Sequence, residues 1–366
     1  MRVLHVVASA QRRGAEVFAS DLVGALDGVE QRVAILREAV GPTVHFSAPI
    51  DLLGANGGRG PLSMPAVRAL RRLFRSWRPD VVQAHGGEPL KYAIAARGIS
   101  GGALVYRRIG SAHGYSDRPL ARIGYGRLMR LATVTVAVAD AVRLQTIETF
   151  GLPASSIVAI PNAVDGARLR PTVGRVVTRK GLGVAPGARV ILSLGAFTWE
   201  KDPVGLLGIA ERVMRDRPDV VCLLAGDGPL RGDVETFVQE RNLRDRVLLL
   251  GSRSDVADLL SASDVVLLAS ATEGMPAALI EAGMAGVPVA SYDLGGIGEV
   301  VVDGDTGVLA RAFDAEQLSA GLAALLDDEA ARERMGIAAK TRCLETFDVA
   351  VVASRYRSLY EDVIAR

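Results

Sequence analysis

Two cysteines in 366 residues, Cys222 and Cys343, are too few for a disulfide framework and lack the spacing of a metal site. A reducing cytoplasm is the expected setting. Cys222, inside Val220-Val221-Cys222-Leu223-Leu224, reads as a small core residue. No uninterrupted apolar run approaches the roughly 20 residues that span a bilayer. The apolar start Val3 to Ala8 is short for a signal-peptide core and is cut off by Arg12 and Arg13, so it reads as a buried first strand. A phosphate-loop lysine motif is missing, and so is a G-x-G-x-x-G fingerprint with its acidic partner, which removes the usual support for nucleotide hydrolysis and dinucleotide redox chemistry. Short repeats, low-complexity runs and coiled-coil heptads are missing too.

What is present is an ordered, globular composition, 49% hydrophobic and 23% charged. Its length exceeds what one core usually supports, so two domains are expected. The charge is unevenly spread: residues 1–165 carry 20 Lys and Arg against 12 Asp and Glu, leaving 23 against 29 in the remainder. A basic first half fits an anionic partner, or a solvated arginine-rich surface.

Short apolar runs alternate with segments of helical period, the pattern of a parallel sheet covered on both faces. Strands are expected at 3–8, 32–36, 44–48, 81–84, 103–107, 134–138 and 157–160. After a Pro- and Arg-rich stretch from Pro161 to Pro186, read as a linker, they resume at 190–194, 220–225, 247–250, 265–269 and 287–291. The expected division is 1–165, 166–345 and a last helix, 346–366, packing back toward the first domain. Doubly wound sheets bind ligands beyond the carboxyl ends of their strands, so function is sought in the loops there.

The strongest motif is Glu273-Gly274-Met275-Pro276-Ala277-Ala278-Leu279-Ile280-Glu281, which follows a strand and enters a helix. Pro276 suits a first helical position. The amides of Gly274, Met275 and Ala277 would then present the positive end of the helix dipole to a pyrophosphate, flanked by Glu273 and Glu281. A second motif runs from Leu194 to Pro203, where Gly195 permits a tight turn and Lys201 offers an ammonium for phosphates. A third is Gln11-Arg12-Arg13-Gly14-Ala15-Glu16, with Gly14 opening a helix. Asp303 and Asp305 lie in a Gly-rich turn and read as turn residues, so no metal is expected.

Taken together, and in this order, these residues resemble the retaining glycosyltransferases of family 4, over nearly the whole chain. Further similarities are Pro161-Asn162-Ala163-Val164-Asp165, Gly226-Asp227-Gly228-Pro229-Leu230, Ala285-Gly286-Val287-Pro288-Val289 and Asp303-Gly304-Asp305-Thr306-Gly307. The resemblance implies an α/β, GT-B fold of two Rossmann-like parallel-sheet domains facing an inter-domain cleft. It implies transfer of a hexose or N-acetylhexosamine from a UDP- or GDP-sugar, with retention and without metal or other cofactor, to a polysaccharide, lipid-linked or small-molecule acceptor. Glu281 would hold the ribose. Glu273 and the amides of Gly274, Met275 and Ala277 would hold sugar and diphosphate, and Lys201 and the Gly14 amide would neutralise the leaving group. His113 is implied near the sugar, with Arg107 or Arg108 as alternatives in the usual place of the family's histidine; His85, in the loop after a strand, reads with Arg108 as an acceptor-side residue, or as a satisfied loop histidine.

There are two departures, Ala196, where the family commonly carries Arg, and His113, which falls a few residues later than the family's histidine. That leaves open an inactive sugar-nucleotide-binding subunit, beside a nucleotide-sugar epimerase on the same fold. Nucleic acid is not an expected partner. Arg68, Arg71, Arg72, Arg75 and Arg78 surround Val67, Leu70, Leu73, Phe74 and Trp77 at helical spacing, and Arg118, Arg122, Arg127 and Arg130 repeat the theme. Such helices fit contact with the inner face of a membrane, or packing on a core with a wet basic face.

Overall fold

The structure, a computed structural model, describes residues 1–55, 62–98, 102–110 and 119–365. The chain forms two compact units, Met1–Val164 with Val349–Arg366, and Asp165–Asp348. The strands and helices of the first are β1 (Arg2–Val7), α1 (Gly14–Ala25), β2 (Glu30–Ile35), β3 (Ile50–Leu52), α2 (Met64–Trp77), β4 (Val81–His85), α3 (Gly87–Arg97), β5 (Ala103–Arg108), α4 (Pro119–Met129), β6 (Val134–Ala137), α5 (Asp140–Phe150) and β7 (Ile157–Ala159). Those of the second are α6 (Gly174–Gly181), β8 (Arg189–Leu194), α7 (Pro203–Arg215), β9 (Val220–Ala225), α8 (Arg231–Glu240), β10 (Val247–Gly251), α9 (Val256–Ala262), β11 (Val265–Leu268), α10 (Ala277–Met284), β12 (Val289–Tyr292), α11 (Ile297–Val300), β13 (Gly307–Ala310), α12 (Ala315–Asp327) and α13 (Glu329–Phe347). A last helix, α14 (Val349–Ala365), returns to the first unit.

Both sheets are parallel, ordered β3-β2-β1-β4-β5-β6-β7 and β10-β9-β8-β11-β12-β13. Val3 to Val7 and Val265 to Leu268 are buried throughout, as strands covered on both faces must be. In the first sheet one face packs on α2 and α3 through Leu70, Phe74, Leu90 and Tyr92; the other packs on α1 and α14 through Phe18, Leu22, Tyr356 and Tyr360. The strand order reverses between β1 and β4, and again between β8 and β11, so each unit has a switch point, the position at the strand ends where doubly wound sheets bind ligands. Each motif singled out above for the diphosphate lies just after one of these strands.

Three readings are corrected. The edge strand is Ile50–Leu52 rather than 44–48, because Pro49 lacks the N–H that pairing needs and its carbonyl instead accepts from Val33 N (2.9 Å). Phe46 is buried, but its segment folds over the loop after β1, through Val44 N to the Ala10 carbonyl. The stretch read as linker contains α6, which Asp258 fastens by accepting from the amides of Thr172 (2.7 Å) and Val173 (2.9 Å). The turn read at Asp303 to Gly307 leads into a strand that was not expected, β13, which pairs with β12.

Candidate donor site

The loop after β11 and the loop after β8 are stitched together by the backbone. Ala271 N donates to the Glu200 carbonyl (2.9 Å), and the Lys201 ammonium reaches the Glu273 carboxylate, with Nζ to Oε1 at 2.5 Å. Ser270 Oγ donates to the same oxygen at 2.6 Å, leaving the second carboxylate oxygen outside these two bonds. The Glu273 side chain is 7% exposed and that of Lys201 30%, so an acid and a cation are held together at the strand ends, partly out of water. Gly274, Met275 and Pro276 are buried behind them. A second loop backs this turn: Gly296 N donates to the Gly274 carbonyl (2.6 Å), and a Cβ on Gly295 would collide with the Glu273 carbonyl, so only glycine fits there.

Pro276 is the residue before the helix, not its first residue; α10 starts at Ala277 with no side-chain cap on its opening amides. The proline's missing donor costs nothing at either position. Ala277, Ala278 and Glu281 are half-buried while Leu279, Ile280 and Ala282 are buried, so Glu281 shares the open helix face with the first turn, as a spacing of four residues requires. The opposite face packs on α13, where a Cβ on Gly283 would strike Cys343 Sγ. Gly195 faces the Lys201 stem: a Cβ there would make ordinary contact with Lys201 Cγ and Cδ at 3.9 Å. Ala196 is exposed beside it.

In the first unit Gly14 opens α1, again without a side-chain cap, and a Cβ added to it would meet nothing within 4 Å. Glu16, in the first turn, is buried, and burial holds its carboxyl above the usual range. His113 lies outside the described residues. His85 is the last residue of β4, not a loop residue, and its ring is buried against His5 (5.4 Å between centroids). Gln31 donates its amide to the Val23 and Leu26 carbonyls, so its Oε1 faces His5 Nε2 (3.1 Å), which therefore carries the hydrogen. His5 Nδ1 is then a bare acceptor for His85 Nε2–H (3.1 Å), leaving His85 Nδ1 without a hydrogen. Arg108 ends β5 with its guanidinium 5.0 Å from the Phe150 ring centre. Arg107, fully buried, lies over Phe18 (3.5 Å) and donates to Asn162 Oδ1 (2.9 Å).

This histidine pair makes the fold acid-sensitive. Burial pulls His5 down to about 4, and burial, His5 and Arg107 hold His85 well below its usual value. Both are neutral when folded, whereas the unfolded chain takes up protons near pH 6.5. Stability is thus complete above pH 6.5 and falls as pH drops toward 4, by on the order of 3 kcal/mol for His5 alone. Thermal melts across that window should show the decline, with a shallower slope in His5→Gln; the same slope in both would refute it.

Residues 12–168 match the Glycosyltransferase Family 4 profile and residues 175–342 the profile of Glycosyl transferases group 1. The chain belongs to the group 1 glycosyltransferases. Within this group it is 32% identical to N-acetyl-alpha-D-glucosaminyl L-malate synthase of Bacillus anthracis, over 51% of this chain and 49% of that protein, about half its length. It is 26% identical to glycogen synthase of Mycobacterium tuberculosis, over 91% of this chain and 81% of the relative. Anabaena HepE, solved in complex with UDP-glucose, superposes with a TM-score of 0.85 at 21% identity, over 99% of this chain and 100% of that one. The glycosyltransferase therefore has the GT-B fold expected for it. Sequence reasoning had missed Ser270 and Gly295; the first was legible only as a hydroxyl three residues before Glu273.

Proposed function

We propose that this glycosyltransferase moves a hexose or N-acetylhexosamine from a nucleoside diphosphate sugar to an acceptor hydroxyl with retention of configuration. The observation that carries this is the Lys201–Glu273–Ser270 cluster beside the start of α10, which gathers a cation and an anion at a switch point, where Pro276 gives the helix no side-chain cap. Lys201 has two ammonium hydrogens beyond its bond to Glu273, and these are assigned to the diphosphate. Gly195 lets the chain turn beneath it. The Gly14 amide and those of Gly274, Met275 and Ala277 add donors, and Glu281 takes the ribose hydroxyls. The neighbour solved with UDP-glucose favours uridine over guanosine.

The bond from C1 to the phosphate oxygen breaks, the acceptor oxygen attacks C1 on the same face, and the departing phosphate takes the acceptor proton. Charge accumulating on that phosphate is met by Lys201 and amides, in place of a metal. His113 and Arg108 are assigned to the acceptor side. His85, buried and bonded to His5, holds its strand end in position there rather than touching the acceptor.

UDP binding followed by thermal shift tests the donor assignment, since a ligand of the folded state raises Tm by mass action. Glu281→Ala should weaken UDP binding by roughly 10- to 100-fold, the worth of hydrogen bonds to a charged group. Gly14→Ala should leave Tm unchanged, given the open space around it, while lowering kcat/KM about tenfold. Wild-type affinity in Glu281→Ala would sink the assignment.

We also propose that this activity is cytoplasmic and meets the inner membrane face. Arg68, Arg72, Arg75 and Arg78 are exposed along and beyond α2, with no acidic partner among the described residues. Among those residues no helix is long and apolar enough to cross a membrane. Each Arg near an anionic surface adds about 1 kcal/mol. Sedimentation with phosphatidylserine vesicles, but not phosphatidylcholine ones, is expected; equal behaviour with both would reject surface contact.

A further inference from the structure

The second unit has a cavity of about 570 Å³ that the donor site does not use. It is open to solvent and lies where the chain leaves β13 and enters α12, with Arg212 of α7 in its lining. Phe313 lines it, an aromatic ring 65% exposed to water where most of the described rings are buried. The Phe313 backbone has φ of 64°, a left-handed conformation that bulky side chains avoid, so the ring is held outward at a conformational cost. Tyr292, buried at the end of β12, supports it with ring centres 6.0 Å apart.

Around the ring stand four charged groups whose signs cancel: Arg212 and Arg311 against Asp314 and Glu316. Arg311 is bonded to Asp314 (2.9 Å). The start of α12 offers nothing to an anion, because Asp314 Oδ1 already accepts from Gln317 N (2.9 Å). A ligand of net charge gains little here. An exposed ring face rimmed by planar, mixed donors and acceptors instead suits a pyranose, which stacks its C–H face on an aromatic and directs hydroxyls outward to such groups. The volume is that of a small-ligand site, enough for a short sugar segment.

We propose that this cavity is a neutral oligosaccharide-binding site, separate from the donor loops, that holds a glycan chain on the second unit. The choice of a glycan rests on the chain being a glycosyltransferase, but binding here requires no turnover. The chain, both units together, is applied to an array of immobilised neutral oligosaccharides, namely α- and β-glucans, galactans and mannans, with heparin-derived oligosaccharides as the anionic comparison. Retention by at least one neutral class is expected, with a drop of at least tenfold in Phe313→Ala and recovery in Phe313→Trp. Phe313→Gly relieves the positive φ, so its Tm should not fall while its glycan binding does, which separates ring loss from misfolding. Retention by no neutral glycan, by heparin fragments alone, or equally by wild type and Phe313→Ala overturns the proposal. UDP thermal shifts on the same proteins should be identical. Their failure in wild type would count against the donor assignment and leave the array result standing.

Discussion

Lys201→Ala should lower kcat/KM by roughly 100- to 1000-fold, the usual cost of deleting one preorganised group that meets developing charge. The geometry supplies the reason. The ammonium is pinned by Glu273 at 2.5 Å, and its stem lies along Gly195, so it is in place before a donor arrives and little reorganisation is left for the reaction. If it acts mainly on the departing phosphate, kcat falls more than KM rises, because the charge it neutralises grows along the reaction.

A structural role predicts a different pattern. Removing Lys201 leaves Glu273 buried with Ser270 alone on Oε1, and an orphaned buried charge destabilises by about 3–5 kcal/mol when both partners are fully buried. Lys201 is 30% exposed, so water screens the pair and about 1–2 kcal/mol is the better expectation. The double variant Lys201→Ala with Glu273→Gln removes both charges and should recover much of the lost Tm without recovering kcat. Recovery of both would make Lys201 a structural residue and withdraw it from the reaction.

Much of this was legible in the sequence because it depends on local pattern. Buried parallel strands are apolar runs, helices show their period, and a Glu-Gly-Met-Pro start followed by Glu281 is a continuous motif. What was not legible depends on partners far along the chain. α6 is fixed by Asp258, some 85 residues away, and its exposed Val176 and Val177 give no inward apolar face to read. β3 exposes Ile50 and Leu52 and half-buries Asp51 against Arg32, the reverse of the usual rule, because it is an edge strand. His85 read as a loop residue because nothing near it in sequence reveals His5 as its partner; only the pairing of β1 with β4 does.

Gly226 shows how a plain turn motif serves the site through backbone contact. Gly195 N donates to the Ala225 carbonyl (3.1 Å) and Phe197 N to the Asp227 carbonyl (3.0 Å), which draws the loops after β8 and β9 together. A Cβ on Gly226 would overlap the Gly195 carbonyl oxygen and press on the Phe197 ring. Backbone cannot swing aside as a side chain can, so Gly226→Ala must push the Gly195 turn away, at the cost typical of overpacking, roughly 2–3 kcal/mol. For a unit of this size that is roughly 5–10 °C in Tm. Since Gly195 lies against the Lys201 stem, the shift also moves the ammonium, and a displacement near 1 Å suffices for roughly a hundredfold loss of rate. Gly24→Ala, with nothing within 4 Å of the added carbon, is the matched control and should change neither quantity. A Gly226→Ala protein that keeps wild-type Tm and kcat would show that the two loops yield independently, and that the lysine is not positioned through them.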